Sequence, residues 1–271
     1  MSPEQICDEY LNRLDISDRT PSLALVRQLQ QRHVTRFTFN NLAALLQQEM
    51  PLEPGFLLNK IVRQNRGGYC FEHNRLTFEV LRSLGIEARI LLARVLYNTE
   101  EDRPRTHRIS LVSLPEGDGT QRYIVDTGFG HFGARFPLKL VPCLVQEQGD
   151  NCYRIMQTED GGFDFQILKD GAFFTLYRFD LGRYSEADCL TSHFFSHKYP
   201  DAAFVNNLVV CRKYDDHTLS LRNAELHRLA EGQSQVEKVA DAGALHAILN
   251  ETFELDVDLA VAQYLYQRFS A

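Results

Sequence analysis

The sequence predicts an α+β protein in which helices come first, a run of antiparallel strands follows, and helices return at the end. Three observations support this class. Apolar residues recur every three or four positions before residue 85, runs rich in β-branched and aliphatic residues fill the middle, and helical spacing returns after residue 241. A doubly wound sheet would instead alternate strands with helices along the whole chain.

The first third of the chain carries the helix signals. Ser-Pro at 2–3 and Thr-Pro at 20–21 each form a good helix start. The segment 40–50 indicates a short third helix, and 57–62 leads into a glycine-containing loop. After that loop, apolar spacing predicts a helix over 70–84 that ends at a glycine. Together these segments predict an N-terminal helical unit.

Strand-like runs come next, rich in β-branched and aromatic residues and bounded by turn signals such as Asp-Gly-Gly. These runs are 86–97, 107–114, 122–126, 152–156, 163–168, 173–179, 208–213 and 218–222. Tight turns between neighbouring runs favour antiparallel pairing. Two terminal helices are predicted over 242–254 and 256–269.

Composition and charge narrow the function classes. The 271 residues are 44% hydrophobic and 24% charged, as in ordinary soluble globular proteins. The formal net charge of −7 argues against a nucleic-acid partner, because such a binder needs a basic face. No apolar run is long enough to cross a bilayer, and the N-terminus lacks the features of a secretory signal. We therefore expect no membrane partner and a cytoplasmic location.

The six cysteines are scattered, without a Cys-x-x-Cys pair or the spacing of metal ligands. This pattern favours free thiols in a reducing compartment over a disulfide framework. It also argues against structural zinc, so we expect no metal site.

Cys70 is the most informative residue of the chain. It follows two glycines and a tyrosine and stands at the entrance of the helix predicted over 70–84. Glycines allow a sharp turn and close approach by another molecule, and the partial positive charge of a helix N-terminus favours a thiolate. Cys70 is therefore a candidate nucleophile for covalent catalysis. The alternative is a buried and inert cysteine.

A cysteine nucleophile needs a base and a group that orients the base. His107 is the best-placed base, where a loop enters a predicted strand; the alternative is a surface histidine in an arginine-rich loop. Asp126 ends a strand and is the candidate carboxylate, although residues in such positions commonly form turns. The loop of Gly128, Phe129 and Gly130 either offers backbone amides to a ligand or forms a simple turn.

Three blocks resemble the signature motifs of the arylamine N-acetyltransferases, in the family's order and at similar separations. They are Arg-Gly-Gly-Tyr-Cys-Phe-Glu-His-Asn at 66–74, Arg-Thr-His at 105–107 and Val-Asp-Thr-Gly-Phe-Gly at 125–130. Further segments similar to family blocks lie at 37–42, 92–95, 136–138 and 177–180. The resemblance is clearest from 35 to 140, and its specificity comes from the blocks occurring together.

The resemblance implies that Cys70, His107 and Asp126 form a catalytic triad. The implied reaction has two steps. The cysteine is first acetylated by acetyl-coenzyme A, and an arylamine, a hydrazine or an N-hydroxyarylamine then takes the acetyl group from the thioester. Acetyl-coenzyme A is thus a cosubstrate, and no permanently bound cofactor is implied.

The resemblance also implies a fold. An N-terminal helical bundle is expected over 1–85, a central antiparallel β-barrel over 86–190 and a C-terminal α/β lid over 191–271, around the Cys-His-Asp core that transglutaminases and papain-like proteases share. It further implies that Phe37 and Val95 line the acceptor pocket. The glycine loop after Asp126, with Gly128, Phe129 and Gly130, is expected beside the acyl group.

Three alternatives use the same residues differently. One is an amide synthase that closes a macrolactam, a branch of the same family. Another is a hydrolase of the papain or transglutaminase type. The third is a small-molecule binder whose catalytic site has decayed.

The sequence departs from the family pattern near the nucleophile. Asn65 stands where a second arginine is usual, Thr38 where proline is usual, and Asn40 where the family has a glutamate. In relatives that glutamate pairs with the arginine before the glycines, here Arg66. We therefore expect Arg66 to find another partner or an amide contact.

Overall fold

The computed structural model describes residues 1–230 and 233–270. The helices in this part of the chain are α1 (Pro3–Arg13), α2 (Leu23–Arg36), α3 (Leu42–Leu45), α4 (Pro54–Leu57), α5 (Cys70–Ser83), α6 (Glu186–Lys198), α7 (Ala203–Asn206), α8 (Ala242–Ala247) and α9 (Leu259–Phe269). Two π-helical stretches continue α4 and α8 without a break, at Leu58–Arg63 and Ile248–Thr252. The strands are β1 (Phe39–Asn40), β2 (Glu87–Val95), β3 (His107–Glu116), β4 (Gly119–Val125), β5 (Leu138–Lys139), β6 (Gln146–Gln148), β7 (Asn151–Gln157), β8 (Phe163–Lys169), β9 (Ala172–Phe179), β10 (Val209–Lys213), β11 (Thr218–Arg222), β12 (Glu225–Ala230) and β13 (Gln233–Lys238).

The first two helices start from local capping contacts. The Ser2 hydroxyl accepts the Gln5 N–H at 3.3 Å, and the Gln5 side chain accepts the Ser2 N–H at 2.9 Å, which together form a capping box. The second helix starts later than the Thr-Pro at 20–21 predicts. Its cap is Ser22, whose hydroxyl accepts the Leu25 N–H at 3.1 Å.

The third predicted helix, over 40–50, is wrong in extent. The helix covers only Leu42–Leu45, and Asn40 belongs to β1, where its N–H donates to the Gly68 carbonyl at 2.7 Å. Gln47 has a left-handed backbone, with φ of 53°, and the helical path does not continue through it. Pairing with distant segments therefore overrides the helical spacing of this stretch.

Helices α1, α2 and α5 enclose one hydrophobic core together with the π-helical stretch after α4. Its most deeply buried members are Tyr10, Leu11, Val26, Leu29, Leu57, Leu58, Ile61, Leu76, Val80 and Leu81. Helix α5 also contacts strands β2 and β3, so its first turns are enclosed on all sides. Polar side chains in those turns consequently need partners within the protein.

Strands β2 to β9 form an antiparallel sheet with the order β5-β4-β3-β2-β9-β8-β7-β6. Its two edge strands approach each other. The side-chain amide of Gln146 donates to the Lys139 carbonyl at 3.0 Å and accepts the Lys139 N–H at 2.8 Å. The sheet is therefore a nearly closed barrel, and the predicted α+β class with a central antiparallel barrel is confirmed.

The C-terminal part forms a second sheet with the order β1-β10-β11-β12-β13. Strand β1 comes from the N-terminal part, where Phe39 pairs with Cys211. The π-helical stretch after α8, the residue that follows it and helix α9 pack against this sheet through fully buried Leu249, Phe253 and Leu265. The predicted boundaries at residues 85 and 190 stay a proposal; residue 190 lies within α6, and β1 joins the first unit to the C-terminal sheet.

The sequence did not predict α6, β12 or β13. Among the described residues, no helix has the length and apolar character that a bilayer span requires. The cytoplasmic location stays a prediction.

Candidate active site

Cys70 is the first residue of α5, and the preceding loop can take its path only with glycine. Gly67 has a left-handed backbone with φ of 58°, and a Cβ on it would lie 1.9 Å from the Thr38 carbonyl oxygen. The loop therefore runs directly against the segment before β1. This path delivers Cys70 to a site where it is only 2% exposed.

Burial has the largest effect on the pKa of the Cys70 thiol. It raises the pKa of the Cys70 thiol, and the negative charge of Asp126 raises it further, while the N–H groups of Phe71 and Arg108 lower it. The net shift is upward, opposite to the direction expected from the helix N-terminus alone. A lone thiolate is thus disfavoured here, and ionisation requires a base within the site.

His107 and Asp126 converge on this point from two adjacent strands. His107 opens β3, Asp126 directly follows β4, and the His107 Nε2 atom lies 2.7 Å from the Asp126 Oδ2 atom. The Nδ1 atom is therefore the ring nitrogen left for another partner. The Cys70 Sγ atom donates to the carbonyl oxygen of Thr106, the residue before His107, at 3.6 Å. His107 and Asp126 are thus in direct contact, and Cys70 contacts the residue that precedes His107.

Asp126 is held as a carboxylate. Burial alone would raise its pKa, but the charge of His107 and hydrogen bonds from His107, Asn74 and the Gly128 N–H outweigh burial and lower the pKa. The same charge acts on Tyr177, where burial first and Asp126 second raise the pKa of the phenol. A fixed anion beside an imidazole orients the ring and stabilises its protonated form.

Asn74 joins these elements, and the sequence analysis did not single it out as a functional residue. Its side-chain amide donates to the Arg108 carbonyl at 2.7 Å and to Asp126 Oδ1 at 2.9 Å. Its oxygen accepts the Thr127 N–H at 2.8 Å and the Thr127 hydroxyl at 3.1 Å. Asn74 lies one helical turn after Cys70, so both project from the same face of α5. That spacing is the sequence signal that could have identified it.

The loop of Gly128, Phe129 and Gly130 lies against Cys70. Its predicted place beside the acyl group stays a prediction. A Cβ on Gly128 would lie 2.8 Å from the Cα atom of Cys70. The ring of Phe129 lies edge-on to the His107 ring, with centroids 5.1 Å apart. This loop therefore forms one wall of the site.

A cleft opens beside this loop and contains three of the predicted pocket residues. Its lining includes Phe37, Phe39, Phe129, Gly130, Asp126 and Lys213. Val95 is not part of that lining and instead lies on β2 opposite Tyr177 of β9. A pocket role for Val95 stays a prediction, as does the role of each other pocket residue.

Arg66 lacks the glutamate partner expected from the family pattern and instead makes contacts with two side-chain amides. The Arg66 guanidinium donates to the Gln48 side-chain oxygen at 3.3 Å, and the Asn40 amide donates to the Arg66 carbonyl at 3.0 Å. A buried ion pair lies next to them, between Lys60 Nζ and Glu72 Oε1 at 2.5 Å. Next to Gly68, in the loop before Cys70, the carboxylate is therefore that of Glu72 on α5, while residue 40 is an asparagine.

The chain was compared with known proteins. A family model described as N-acetyltransferase matches residues 22–262. An arylamine N-acetyltransferase of Escherichia coli is 34% identical over 257 residues, which cover 93% of this chain and 90% of that protein. The chain belongs to the arylamine N-acetyltransferase family. The predicted resemblance is thereby confirmed.

Other members of the arylamine N-acetyltransferase family agree in sequence and structure. An arylamine N-acetyltransferase / N-hydroxyarylamine O-acetyltransferase of Salmonella typhimurium is 32% identical over 241 residues, which cover 88% of this chain and 84% of that protein. The Mycobacterium marinum arylamine N-acetyltransferase in complex with CoA superposes with a TM-score of 0.91 at 27% identity, covering 97% of this chain and 98% of the other. The family fold is thus shared over nearly the whole chain.

Among residues 1–230 and 233–270, no group of three or more histidine, cysteine or acidic side chains has the arrangement of a metal site.

Proposed function

We propose that this chain transfers an acetyl group from acetyl-coenzyme A, through a thioester on Cys70, to the nitrogen of arylamines or arylhydrazines or to the oxygen of N-hydroxyarylamines. The observation that carries the proposal is the convergence of Cys70, His107 and Asp126 in a chain of the arylamine N-acetyltransferase family. The CoA complex of the Mycobacterium marinum relative supports the choice of acyl donor.

In the first step the thiol proton moves from Cys70 to the free ring nitrogen of His107. The thiolate attacks the carbonyl carbon of acetyl-coenzyme A, the bond to the coenzyme A sulfur breaks, and His107 returns its proton to that sulfur. The products are an acetylated cysteine and free coenzyme A. Asp126 keeps the ring oriented and offsets its positive charge, for which its lowered pKa suits it.

In the second step the neutral amine attacks the carbonyl carbon of the Cys70 thioester. The amine gives up a proton to His107, the carbon–sulfur bond breaks, and the thiolate recovers a proton from His107. The product is an acetylated amine. Because Cys70 is buried, water has little access to the thioester, which favours transfer to a bound amine over hydrolysis.

The acceptor is proposed to bind in the cleft beside the glycine loop. Phe37, Phe39 and Phe129 give this cleft aromatic walls, which suit a planar aromatic ring. Phe129 also contacts the His107 ring, so a ring bound here is near the base that takes the amine proton.

The decisive experiment is the mass of the intact protein after incubation with acetyl-coenzyme A alone. We expect a gain of one acetyl group that maps to Cys70 and disappears when an arylamine is added, with formation of the acetylated amine. Cys70→Ala is expected to lose both signals. Cys143→Ala, which changes an exposed cysteine, is the matched control and is expected to retain them.

The alternatives predict other results. A hydrolase would turn over peptide substrates without accumulating an acetyl adduct. An amide synthase would accept a longer carrier-bound acyl chain and leave simple arylamines unmodified. Normal arylamine acetylation by Cys70→Ala would refute the mechanism, and a Cys70 that reacts with iodoacetamide no faster than an ordinary thiol would indicate a decayed site.

A further inference from the structure

Lys213 is a buried cation that the proposed mechanism does not use. It ends β10, is only 5% exposed, and lines the aromatic cleft together with Phe37, Phe129 and Asp126. Its ammonium group donates to the His131 carbonyl oxygen at 2.6 Å. An ammonium group has three donors, and within the described ranges this is its single hydrogen bond to protein.

The charge of Lys213 is not neutralised by an ion pair. Within residues 1–230 and 233–270, no carboxylate oxygen lies within 4.0 Å of its nitrogen. Asp126 faces the same cleft, but its oxygens accept from His107, Asn74 and Gly128. A buried ammonium with unused donors is unfavourable unless ordered water or a ligand satisfies it, and a carboxylate is the partner that also neutralises its charge.

The surroundings leave the amine protonated at neutral pH. Burial lowers the pKa of Lys213 to about 8, with Arg135 acting in the same direction and Cys211 and Asp126 opposing it. The group is therefore still mainly a cation at pH 7, and it is poorly solvated.

We propose that Lys213 binds an anionic substituent of the acceptor, so that the cleft favours aromatic amines that carry a carboxylate. The inference rests on the proposed acetyl transfer and specifies the acceptor class of that same site. Aromatic walls take the ring, and a charge-assisted hydrogen bond to Lys213 takes the carboxylate. Such a bond contributes more than an ordinary one because Lys213 itself is buried.

The test compares 4-aminobenzoate with the neutral 4-aminobenzamide in the parent protein and in Lys213→Met. The measured quantity is the ratio of kcat/KM for the two acceptors. Each acceptor is compared with itself across the two proteins, so the intrinsic reactivity of its amine cancels. We expect the ratio to fall roughly ten- to a hundredfold in the variant, the range for a hydrogen bond to a charged group.

Lys238→Met removes the same charge from an exposed position on β13 and is the matched control, with the ratio expected to stay at the parent value. If Lys213→Met does not fold, inhibition of the parent protein by two non-reactive analogues tests the same inference. Benzoate and benzamide lack a reactive amine, and we expect benzoate to compete with the acceptor at lower concentration.

Four outcomes separate the possibilities. An unchanged ratio in a folded Lys213→Met, or equal inhibition by benzoate and benzamide, overturns the inference. Slower acetylation of Cys70 by acetyl-coenzyme A with an unchanged acceptor ratio also overturns it, since Lys213 would then serve the donor. Absence of transfer to any amine by the parent would instead refute the proposed function.

Discussion

Replacing Asn74 with alanine tests whether one amide holds the site together. The side chain is 1% exposed and makes four hydrogen bonds, two as donor to Arg108 and Asp126 and two as acceptor from Thr127. No other described side chain contacts both the strand that carries His107 and the loop that follows Asp126 through this many bonds. Its loss should therefore affect stability and chemistry together.

The magnitude follows from the partners left behind. Asp126 keeps the Gly128 N–H, and the Thr127 hydroxyl keeps Thr77, so two of the four bonds have a substitute nearby. The backbone groups of Arg108 and Thr127 lose a partner in a buried place. With about 1–3 kcal/mol for each of these two unsatisfied groups, we expect a loss of about 2–6 kcal/mol in unfolding free energy.

The chemical effect comes through Asp126. Asn74 is one of the donors that lower the pKa of this carboxyl, so its removal raises that pKa toward the ordinary value and loosens the hold on His107. A hydrogen bond to a charged group contributes about 1.5–3 kcal/mol, so acetylation of Cys70 should slow roughly ten- to a hundredfold.

Urea unfolding gives the first quantity, and single-turnover acetylation followed by intact mass gives the second. Asn12→Ala on α1 is the control, because Asn12 is an exposed helix residue. The reasoning is refuted if Asn74→Ala unfolds within about 0.5 kcal/mol of the parent, the usual effect of a neutral surface change, and acetylates Cys70 at the parent rate.

Three further changes have defined outcomes. Gly128→Ala places a Cβ 2.8 Å from the Cys70 Cα atom, so the loop must move, and we expect a loss of about 1–3 kcal/mol in urea unfolding and slower acetylation. Glu72→Ala leaves the buried Lys60 without its carboxylate and should lower stability by about 3–5 kcal/mol. Burial lowers the pKa of His73 to about 4. Below about pH 6.5 the unfolded chain takes up a proton at this residue that the folded chain does not bind until about pH 4, so stability should fall by about 2 kcal/mol between pH 7 and pH 5.

Each of these has an internal control. Gly119→Ala adds a Cβ whose nearest neighbour is 3.9 Å away, and an equal effect there would contradict the packing argument. Replacing Lys60 and Glu72 together by apolar residues should be less harmful than Glu72→Ala, and an equal loss would argue against an uncompensated charge. His73→Gln should reduce the loss of unfolding free energy between pH 7 and pH 5. An unchanged loss would show that other groups cause it.

The elements that the sequence predicts are those with local causes. The capping box at Ser2, the tight turns between strands and the glycine at the end of α5 act over a few residues, so their signals are visible in the chain. The same holds for Cys70, His107 and Asp126. Each stands at a helix start or a strand end, and the family motifs identify the set.

The elements that were missed depend on distant contacts or lack a pattern. Strand β13 is exposed throughout and Val236 is its single apolar residue, so no alternation of apolar residues marks it. Its partner β12 is only half-buried. The role of Lys213 depends on β10 crossing beside residues 126–131, far away in the chain. The sequence around Lys213 does not indicate that these distant residues lie next to it.

The raised pKa of Cys70 constrains how the site can work. Because burial disfavours a lone thiolate, the anion can exist only when its proton stays within the site on His107, so that no net charge is buried. The two charges then stabilise each other, and Asp126 stabilises the imidazolium. In the proposed mechanism, the burial that makes ionisation difficult also keeps water from the Cys70 thioester, so the same enclosure requires the base and protects the proposed intermediate. Acetylation of Cys70 should consequently disappear in His107→Ala, even at a pH well above the pKa of an ordinary thiol. Removing the base leaves the thiol buried and its proton without an acceptor in the site.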